Sequence, residues 1–240
     1  MTDVADDRLY FRQLLSGHHF AVDDRAAQQM VNFVYLIGDR ASGECAVVDP
    51  AYAVQDIVDI AAADGMRITD VLATHYHPDH VGGSFAHMNI EGVSRLLEIQ
   101  STVVHANRHE VPWIVRSTGL SESDIRAHEG GDVVTIGELE ITLVHTPGHT
   151  PGSQCFHVHG ALLSGDTLFL DGCGRTDLPG SDPEAMYESL QILDSLDAST
   201  VVFPGHRYSA PTCESLEQIR QHNFVLKPKT KEQWLSVFAN

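Results

Sequence analysis

The sequence lacks any apolar run that approaches the length of a membrane-spanning helix, which needs about 20 mostly apolar residues. Its first seven residues, Met1–Asp7, are acidic and contain neither the basic start nor the apolar stretch of a secretory signal. Repeats and low-complexity linkers are also absent. We therefore expect a cytoplasmic protein that forms a single domain over residues 1–240, a length sufficient for a sizeable core.

Basic residues are scarce, with 15 Lys and Arg against 33 Asp and Glu, and the formal net charge is −18. A chain with this excess of negative charge repels nucleic-acid phosphates and anionic lipid. We therefore expect a small-molecule substrate, and neither nucleic acid nor a membrane surface as a partner. A homodimer is compatible with the sequence.

Cysteine is also rare, and the four cysteines contain no CxxC pair. Their spacing indicates reduced thiols rather than a disulfide framework or a cysteine metal site. Cys173 stands apart because it falls in a loop that carries candidate site residues. No Ser-His-Asp or Cys-His arrangement suggests a side-chain nucleophile.

The most informative segment that is present, His75-Tyr76-His77-Pro78-Asp79-His80, places four metal-binding side chains within six residues. Three imidazoles and a carboxylate this close together repel one another once protonated, unless a cation holds them. The apolar run 69–74 precedes the segment and is typical of a buried strand. The cluster is therefore expected on a loop at the end of a strand, where α/β folds place their chemistry.

Three further candidate ligands follow β-rich apolar runs and are flanked by glycine or proline: His149, Asp166 and His206. If the four loops converge at one edge, they bring together five histidines and two aspartates. Such a set is sufficient for two metal ions that keep open positions for water.

The order of these seven residues resembles the signature of the metallo-β-lactamase superfamily. The resemblance implies an α+β fold, a four-layer αββα sandwich with the site at one edge of two packed sheets. It further implies that His75, His77 and His149 bind a first metal ion, that Asp79, His80 and His206 bind a second, and that Asp166 bridges them. Two zinc ions are the expected cofactors, with iron and manganese as alternatives.

The loop 165–177 resembles the metal-bridging loop of glyoxalase II thioesterases and of persulfide dioxygenases. By that resemblance, Arg175 and Tyr208 contact the glutathione part of the substrate, and an arginine fork suits a carboxylate. An ion pair of Arg175 with Asp171 or Asp177, which would only stabilise the loop, is the alternative.

The resemblance favours a glyoxalase II-like hydrolase that cleaves S-acyl-glutathione-type thioesters with a metal-bound hydroxide. Asp79 would orient that hydroxide as a catalytic residue. A thioester suits such a site because a thiolate leaves without a proton from the protein. The rival is a persulfide dioxygenase with one iron ion held by His75, His149 and Asp166.

Periodicity and turn residues predict the remaining organisation. A helix is expected at 53–63, a mostly polar helix at 107–128, and a helix at 183–196 that Asp182 caps. Residues 92–129 are expected to form an insertion or lid whose Trp113 and Ile114 contact the pocket, and residues 207–240 a short C-terminal helical segment. Asp49, at the end of a strand, is expected either to orient a histidine ligand or to cap a turn.

Overall fold

The structure is a computed structural model that describes residues 8–85 and 88–238. The acidic segment before residue 8, which carries the expectation about a secretory signal, lies outside the described residues. In chain order the strands are β1 (Leu9–Leu15), β2 (Phe33–Asp39), β3 (Glu44–Val48), β4 (Arg67–Leu72), β5 (Gly83–Phe85), β6 (Met88–Ile90), β7 (Val103–Asn107), β8 (Ile125–His128), β9 (Val133–Ile136), β10 (Leu139–His145), β11 (Gln154–Val158), β12 (Ala161–Gly165), β13 (Val201–Pro204) and β14 (Glu214–Ser215).

The helices lie between and after these strands. They are α1 (Arg25–Met30), α2 (Val54–Ala63), α3 (Pro78–Val81), α4 (Val93–Ile99), α5 (Val111–Thr118), α6 (Pro183–Asp194), α7 (Leu216–His222) and α8 (Lys231–Phe238), with 3₁₀ turns at Glu122–Asp124 and Phe224–Leu226. Within the described ranges, no helix combines the length and the apolarity that crossing a membrane requires.

Two six-stranded sheets form the centre of the fold. The first has the order β1-β2-β3-β4-β7-β8 and the second the order β14-β13-β12-β11-β10-β9, while β5 and β6 pair as a small separate hairpin. Alternation along β2 shows how a strand of the first sheet serves two layers. Phe33, Tyr35 and Ile37 contribute to the core between the sheets, and Val34 and Leu36 face the opposite side.

Helices cover the outer face of each sheet. Residues of α1, α2, α4 and α5 share a core with the first sheet, and residues of α6, α7 and α8 share one with the second. Helix α2 illustrates the cause, because its buried positions Val54, Ile57 and Ala61 lie on one face at helical spacing. The expected four-layer αββα sandwich is thus confirmed.

The segment 92–129 differs from the prediction. It supplies β7 and β8, which pair in parallel with β4 and with each other as part of the first sheet, so the prediction of an insertion or lid is wrong for these strands. The predicted helix over 107–128 is also too long. Gly119 ends α5 in a left-handed conformation, and residues 125–128 form a strand because pairing with β7 overrides their weak local preference.

The other predicted helices are found near their expected positions. Helix α2 covers most of 53–63, and α6 begins where expected, because Asp182 accepts hydrogen bonds from the backbone N–H groups of Glu184 and Ala185. Beyond residue 206, the described chain contains β14, α7, a 3₁₀ turn and α8. Two helices therefore lie in the segment for which the sequence predicts a helical character, together with a short strand.

Candidate metal centre

The seven candidate ligands lie in four loops that follow strands β4, β10, β12 and β13, as the sequence predicts. The first loop turns directly into α3, a single helical turn that Pro78 begins at its first position. This turn brings Asp79 and His80 back toward the histidines that precede it. All four loops open at the same edge of the paired sheets, and the side chains meet there.

Three imidazoles form the first donor set. His77 Nδ1 lies 3.0 Å from His75 Nε2 and 3.0 Å from His149 Nε2. All three ligand atoms lie within 4.8 Å of one another. The structure therefore brings together the three residues that the sequence assigned to a first metal ion.

The second donor set combines a carboxylate with two imidazoles. His80 Nε2 and His206 Nε2 are 3.2 Å apart, and Asp79 Oδ2 lies 3.6 Å from the first and 3.5 Å from the second. Asn32 Nδ2 donates to the same Asp79 oxygen at 3.0 Å. These three ligands are the ones that the sequence assigned to a second metal ion.

Asp166 lies between the two sets. Its Oδ2 is 3.3 Å from His206 Nε2 and 3.7 Å from His149 Nε2, and its Oδ1 is 3.5 Å from His80 Nε2. Two glycines allow this approach, because a Cβ atom on Gly205 would come within 2.3 Å of Asp166 Oδ1 and one on Gly174 within 2.0 Å of the Asp166 carbonyl oxygen. The carboxylate thus lies within 3.7 Å of ligand atoms from both donor sets.

Backbone carbonyl oxygens hold two of the imidazoles through the nitrogen that points away from the cluster. His149 Nδ1 donates to the Arg175 carbonyl oxygen and His206 Nδ1 to that of Met30, both at 2.8 Å. Such hydrogen bonds fix the ring orientation and leave the lone pair of the other nitrogen directed at the cluster.

Asp49 orients a histidine from each donor set. Its Oδ2 accepts from His80 Nδ1 at 2.9 Å and from the Thr74 hydroxyl at 2.6 Å. That hydroxyl in turn accepts from His75 Nδ1 at 2.9 Å. The prediction that Asp49 orients one histidine is confirmed, and the structure extends it to a second histidine through Thr74.

Protonation differs between the two donor sets. Burial, reinforced by the neighbouring His80 and His77, holds the pKa of His75 well below its ordinary value, and burial together with His149 lowers the pKa of His77 to about 4. For His80, burial lowers the pKa, but Asp166 and Asp79 outweigh it and raise the pKa to about 10. The first set therefore consists of neutral imidazoles, whereas the carboxylates of Asp166 and Asp79 favour a positive charge at the second set.

The cluster fits a pair of metal ions. Asp166 Oδ1 is buried and has no hydrogen-bond partner among the described residues. Imidazole lone pairs converge on the same space, and neutral imidazole nitrogens and carboxylate oxygens are the ligands that zinc, iron and manganese accept. Bound dications would satisfy these groups, lower the pKa of a coordinated water and polarise a substrate carbonyl.

Sequence reasoning missed two residues that hold the centre together. Asn32 is buried beside the second donor set, and its Oδ1 accepts from the Tyr52 hydroxyl at 3.2 Å.

Glu110 is fully buried, and its two oxygens accept from the backbone N–H groups of Tyr76 and Gly152, at 3.0 and 2.7 Å. It thereby ties the loop of His77 to the loop of His149. Burial raises the pKa of Glu110 to about 7, and its position inside a predicted helix gave no signal of this contact.

A cavity of about 890 Å³ opens beside the cluster, and both predicted substrate contacts line it. The Tyr208 ring stacks on His206, with centroids 4.9 Å apart. Burial, and to a lesser extent the negative charge of Asp166, raises the pKa of the Tyr208 hydroxyl, which stays protonated.

Arg175 Nε and Nη2 donate to the two carboxylate oxygens of Asp177 at 2.8 and 2.7 Å. The ion pair that the sequence offered as an alternative is therefore present, and with Asp177 rather than Asp171.

Trp113 and Ile114 differ in their relation to this cavity. Trp113 stacks on Tyr76, which lines the cavity, with ring centroids 4.9 Å apart. Ile114 is fully buried in the core of the first sheet and its helices. The expected pocket contact is therefore wrong for Ile114, and Trp113 does not line the cavity either but supports it from behind Tyr76.

Cys173 lines the cavity but is expected to be chemically inert. Burial raises the pKa of its thiol to about 12, so the nucleophilic thiolate is scarce at neutral pH. We expect Cys173→Ser to change kcat/KM by less than about threefold, and iodoacetamide to alkylate Cys173 much more slowly than free cysteine between about pH 6 and 9. Mass spectrometry of timed alkylation reactions measures this rate. Rapid alkylation that inactivates the protein would contradict the assignment.

Comparisons with known proteins agree with this geometry. The family model described as the metallo-beta-lactamase superfamily matches residues 28–206. Over 203 residues the chain is 36% identical to the hydroxyacylglutathione hydrolase of Rhodospirillum rubrum. The matched region covers 84% of this chain and 72% of that protein.

Two further relatives match along most of both chains. The probable polyketide biosynthesis zinc-dependent hydrolase BaeB of Bacillus velezensis is 27% identical over 87% of this chain and 88% of that protein. Among solved structures, ETHE1 from Myxococcus xanthus superposes with a TM-score of 0.77 at 27% identity and covers 96% of this chain and 90% of that one.

Proposed function

Since the chain belongs to the metallo-β-lactamase superfamily, we propose that it hydrolyses S-acyl-glutathione-type thioesters with the help of two zinc ions. The protein is a glyoxalase II-like metal-dependent hydrolase. One observation carries the proposal: two complete donor sets meet with Asp166 between them, and their cavity-facing members His77, Asp79, His149 and His206, with Asp166, line the same cavity as Arg175 and Tyr208. The four free cysteines are consistent with a reducing compartment such as the cytoplasm.

The residues around the cavity have distinct tasks in this reaction. Asp79, which Asn32 holds in place, orients the attacking water. Water adds to the thioester carbonyl carbon while Asp79 accepts one of its protons, the carbon–sulfur bond breaks, and the products are a carboxylic acid and a thiolate. Because a thiol has a pKa of roughly 8.5, this leaving group needs no acid from the protein. The reaction therefore requires positioning and charge rather than a second acid–base residue.

Arg175 and Tyr208 are proposed to bind the thiol carrier. The protonated Tyr208 hydroxyl, whose side chain is 58% exposed, can donate to a substrate oxygen at the cavity mouth. Arg175 must exchange Asp177 for a substrate carboxylate, and since both side chains are exposed, solvent already screens the ion pair that it gives up. This exchange makes Arg175 available at small energetic cost.

A second candidate function uses some of the same ligands. His75, His149 and Asp166 form a two-histidine, one-carboxylate set, with Asp166 Oδ2 3.7 Å from His149 Nε2, and such a set is typical of mononuclear iron oxygenases. A persulfide dioxygenase of this kind would leave the second donor set without a role. We therefore favour the hydrolase, which uses both sets.

Two parallel assays distinguish these functions. Protein reconstituted with zinc, manganese or iron is expected to hydrolyse S-lactoylglutathione with kcat/KM of at least about 10⁴ M⁻¹s⁻¹ in one of these forms, and to consume no oxygen with glutathione persulfide. Thiol release measures the first activity and an oxygen electrode the second. Oxygen uptake by a form with one iron per chain, without thioester cleavage by any form, would overturn the proposal in favour of the dioxygenase.

A further inference from the structure

One wall of the cavity beside the metal centre is aromatic. It consists of Phe224, Trp234 and Phe238 from the C-terminal segment, which line the cavity together with the metal ligands. We propose that this aromatic wall binds an apolar substituent of the thioester, so that the protein selects thioesters with a long-chain or aryl group. The inference rests on the proposed hydrolysis and specifies its substrate class.

The aromatic wall exposes apolar surface to the cavity and is packed against buried residues behind it. Phe224 is 51% exposed, and its ring lies 5.5 Å from that of Phe238, centroid to centroid. Behind them, Trp234 is buried, contacts Phe238 at 4.9 Å and donates from its indole N–H to the Val225 carbonyl oxygen at 3.2 Å. Rings held from behind with one face exposed in a cavity are suited to binding an apolar group.

Asn223 fixes the wall relative to the metal centre. Its side chain is fully buried, donates to the carbonyl oxygens of Phe169 and Gly172 at 3.0 and 3.2 Å, and accepts from the Gly172 N–H at 3.0 Å. Phe169 and Gly172 belong to the loop that follows Asp166. These hydrogen bonds hold the aromatic wall against the loop that follows Asp166.

Charge around the cavity argues against an anionic substituent at the wall. Arg175 is the sole Lys or Arg among the described lining residues, and Asp177 already pairs with it. The three lysines of the C-terminal segment, Lys227, Lys229 and Lys231, do not line the cavity. Two of them have partners elsewhere: Lys227 donates to two backbone carbonyl oxygens, and Lys231 pairs with Glu184 and Glu188. An apolar group therefore gains more from this wall than a carboxylate does.

The test compares two matched pairs of thioesters with the zinc-loaded protein. The acyl pair is S-lactoylglutathione and S-hexanoylglutathione; the thiol pair is S-lactoyl-N-acetylcysteamine and S-benzyl thiolactate. We expect the apolar member of at least one pair to be preferred by about tenfold in kcat/KM, the lower end of the range for an apolar pocket. The pair that shows the preference identifies which side of the thioester contacts the wall.

Variants connect the preference to the wall. Phe224→Ala is expected to reduce the preference at least about fivefold, whereas Phe224→Leu retains most of it. Ile192→Ala is the matched control, because Ile192 on α6 is 46% exposed and does not line the cavity; it should leave the preference unchanged. Thermal melting of each variant verifies that it is folded.

The outcomes separate this inference from the proposed function. Cleavage of thioesters without preference in either pair, or a preference that Phe224→Ala leaves intact, overturns the role of the wall while hydrolysis stands. Failure to cleave any of the four thioesters overturns the proposed hydrolysis, and the specificity with it.

Discussion

Replacing Asp166 with alanine is expected to remove both metal ions and to lower kcat/KM by at least about 10³-fold. Asp166 approaches His149 of the first donor set as well as His80 and His206 of the second, at 3.3 to 3.7 Å. Without its carboxylate, each set loses a ligand and the two cations lose the negative charge between them. Elemental analysis after zinc loading and dialysis measures the metal content, and thioester cleavage measures the activity.

Asp171→Ala is the control for this variant. Asp171 is an exposed carboxylate of the same loop and lies outside both donor sets, so its loss changes the local charge equally but leaves the ligands in place. We expect this variant to keep both metal ions. An Asp166→Ala protein that binds two metal ions as tightly as the wild type would show that Asp166 does not bridge them.

Asp49→Asn is expected to weaken metal binding about 10- to 100-fold and to lower the free energy of unfolding by about 2–3 kcal/mol. The Asp49 carboxylate accepts from the Thr74 N–H at 2.8 Å, from the Thr74 hydroxyl and from His80 Nδ1. Asparagine tolerates the left-handed backbone of this position, where φ is +53°, but its NH₂ group cannot accept. At least one buried donor is therefore left without a partner.

Metal titration and chemical unfolding of Asp49→Asn measure the two effects separately. Asp24→Ala serves as control, since Asp24 also accepts from two backbone N–H groups, those of Ala26 and Ala27, but at the start of α1. Its removal should lower the free energy of unfolding by about 1 kcal/mol without a change in metal affinity. Equal metal affinities of Asp49→Asn and the wild type would refute the orienting role.

The metal ligands could be predicted from the sequence because each has a strong local signal. His75, His149, Asp166 and His206 follow apolar strands and are flanked by small or rigid residues, and such loops meet at one edge of a sandwich. The supporting contacts carry no such signal. Glu110 acts through backbone N–H groups of two distant loops, and its role follows only from the packing of α5 against them.

The strand at 125–128 shows the same limit in the fold. Its residues, Ile125-Arg126-Ala127-His128, have no strong strand pattern, and they form β8 because the neighbouring edge of β7 is available for pairing. Arg175 shows the same limit of sequence-based prediction at the site. The sequence permitted two partners for its guanidinium, Asp171 and Asp177, and only the positions of the side chains select Asp177.

The most direct test of the central claim is anomalous diffraction, at the zinc absorption edge, from crystals of the zinc-loaded protein. The account predicts two peaks among the seven side chains, one beside His75, His77 and His149, the other beside Asp79, His80 and His206, with Asp166 between them. A single peak in this region, or a peak pair from which His149 or His206 points away, would contradict it.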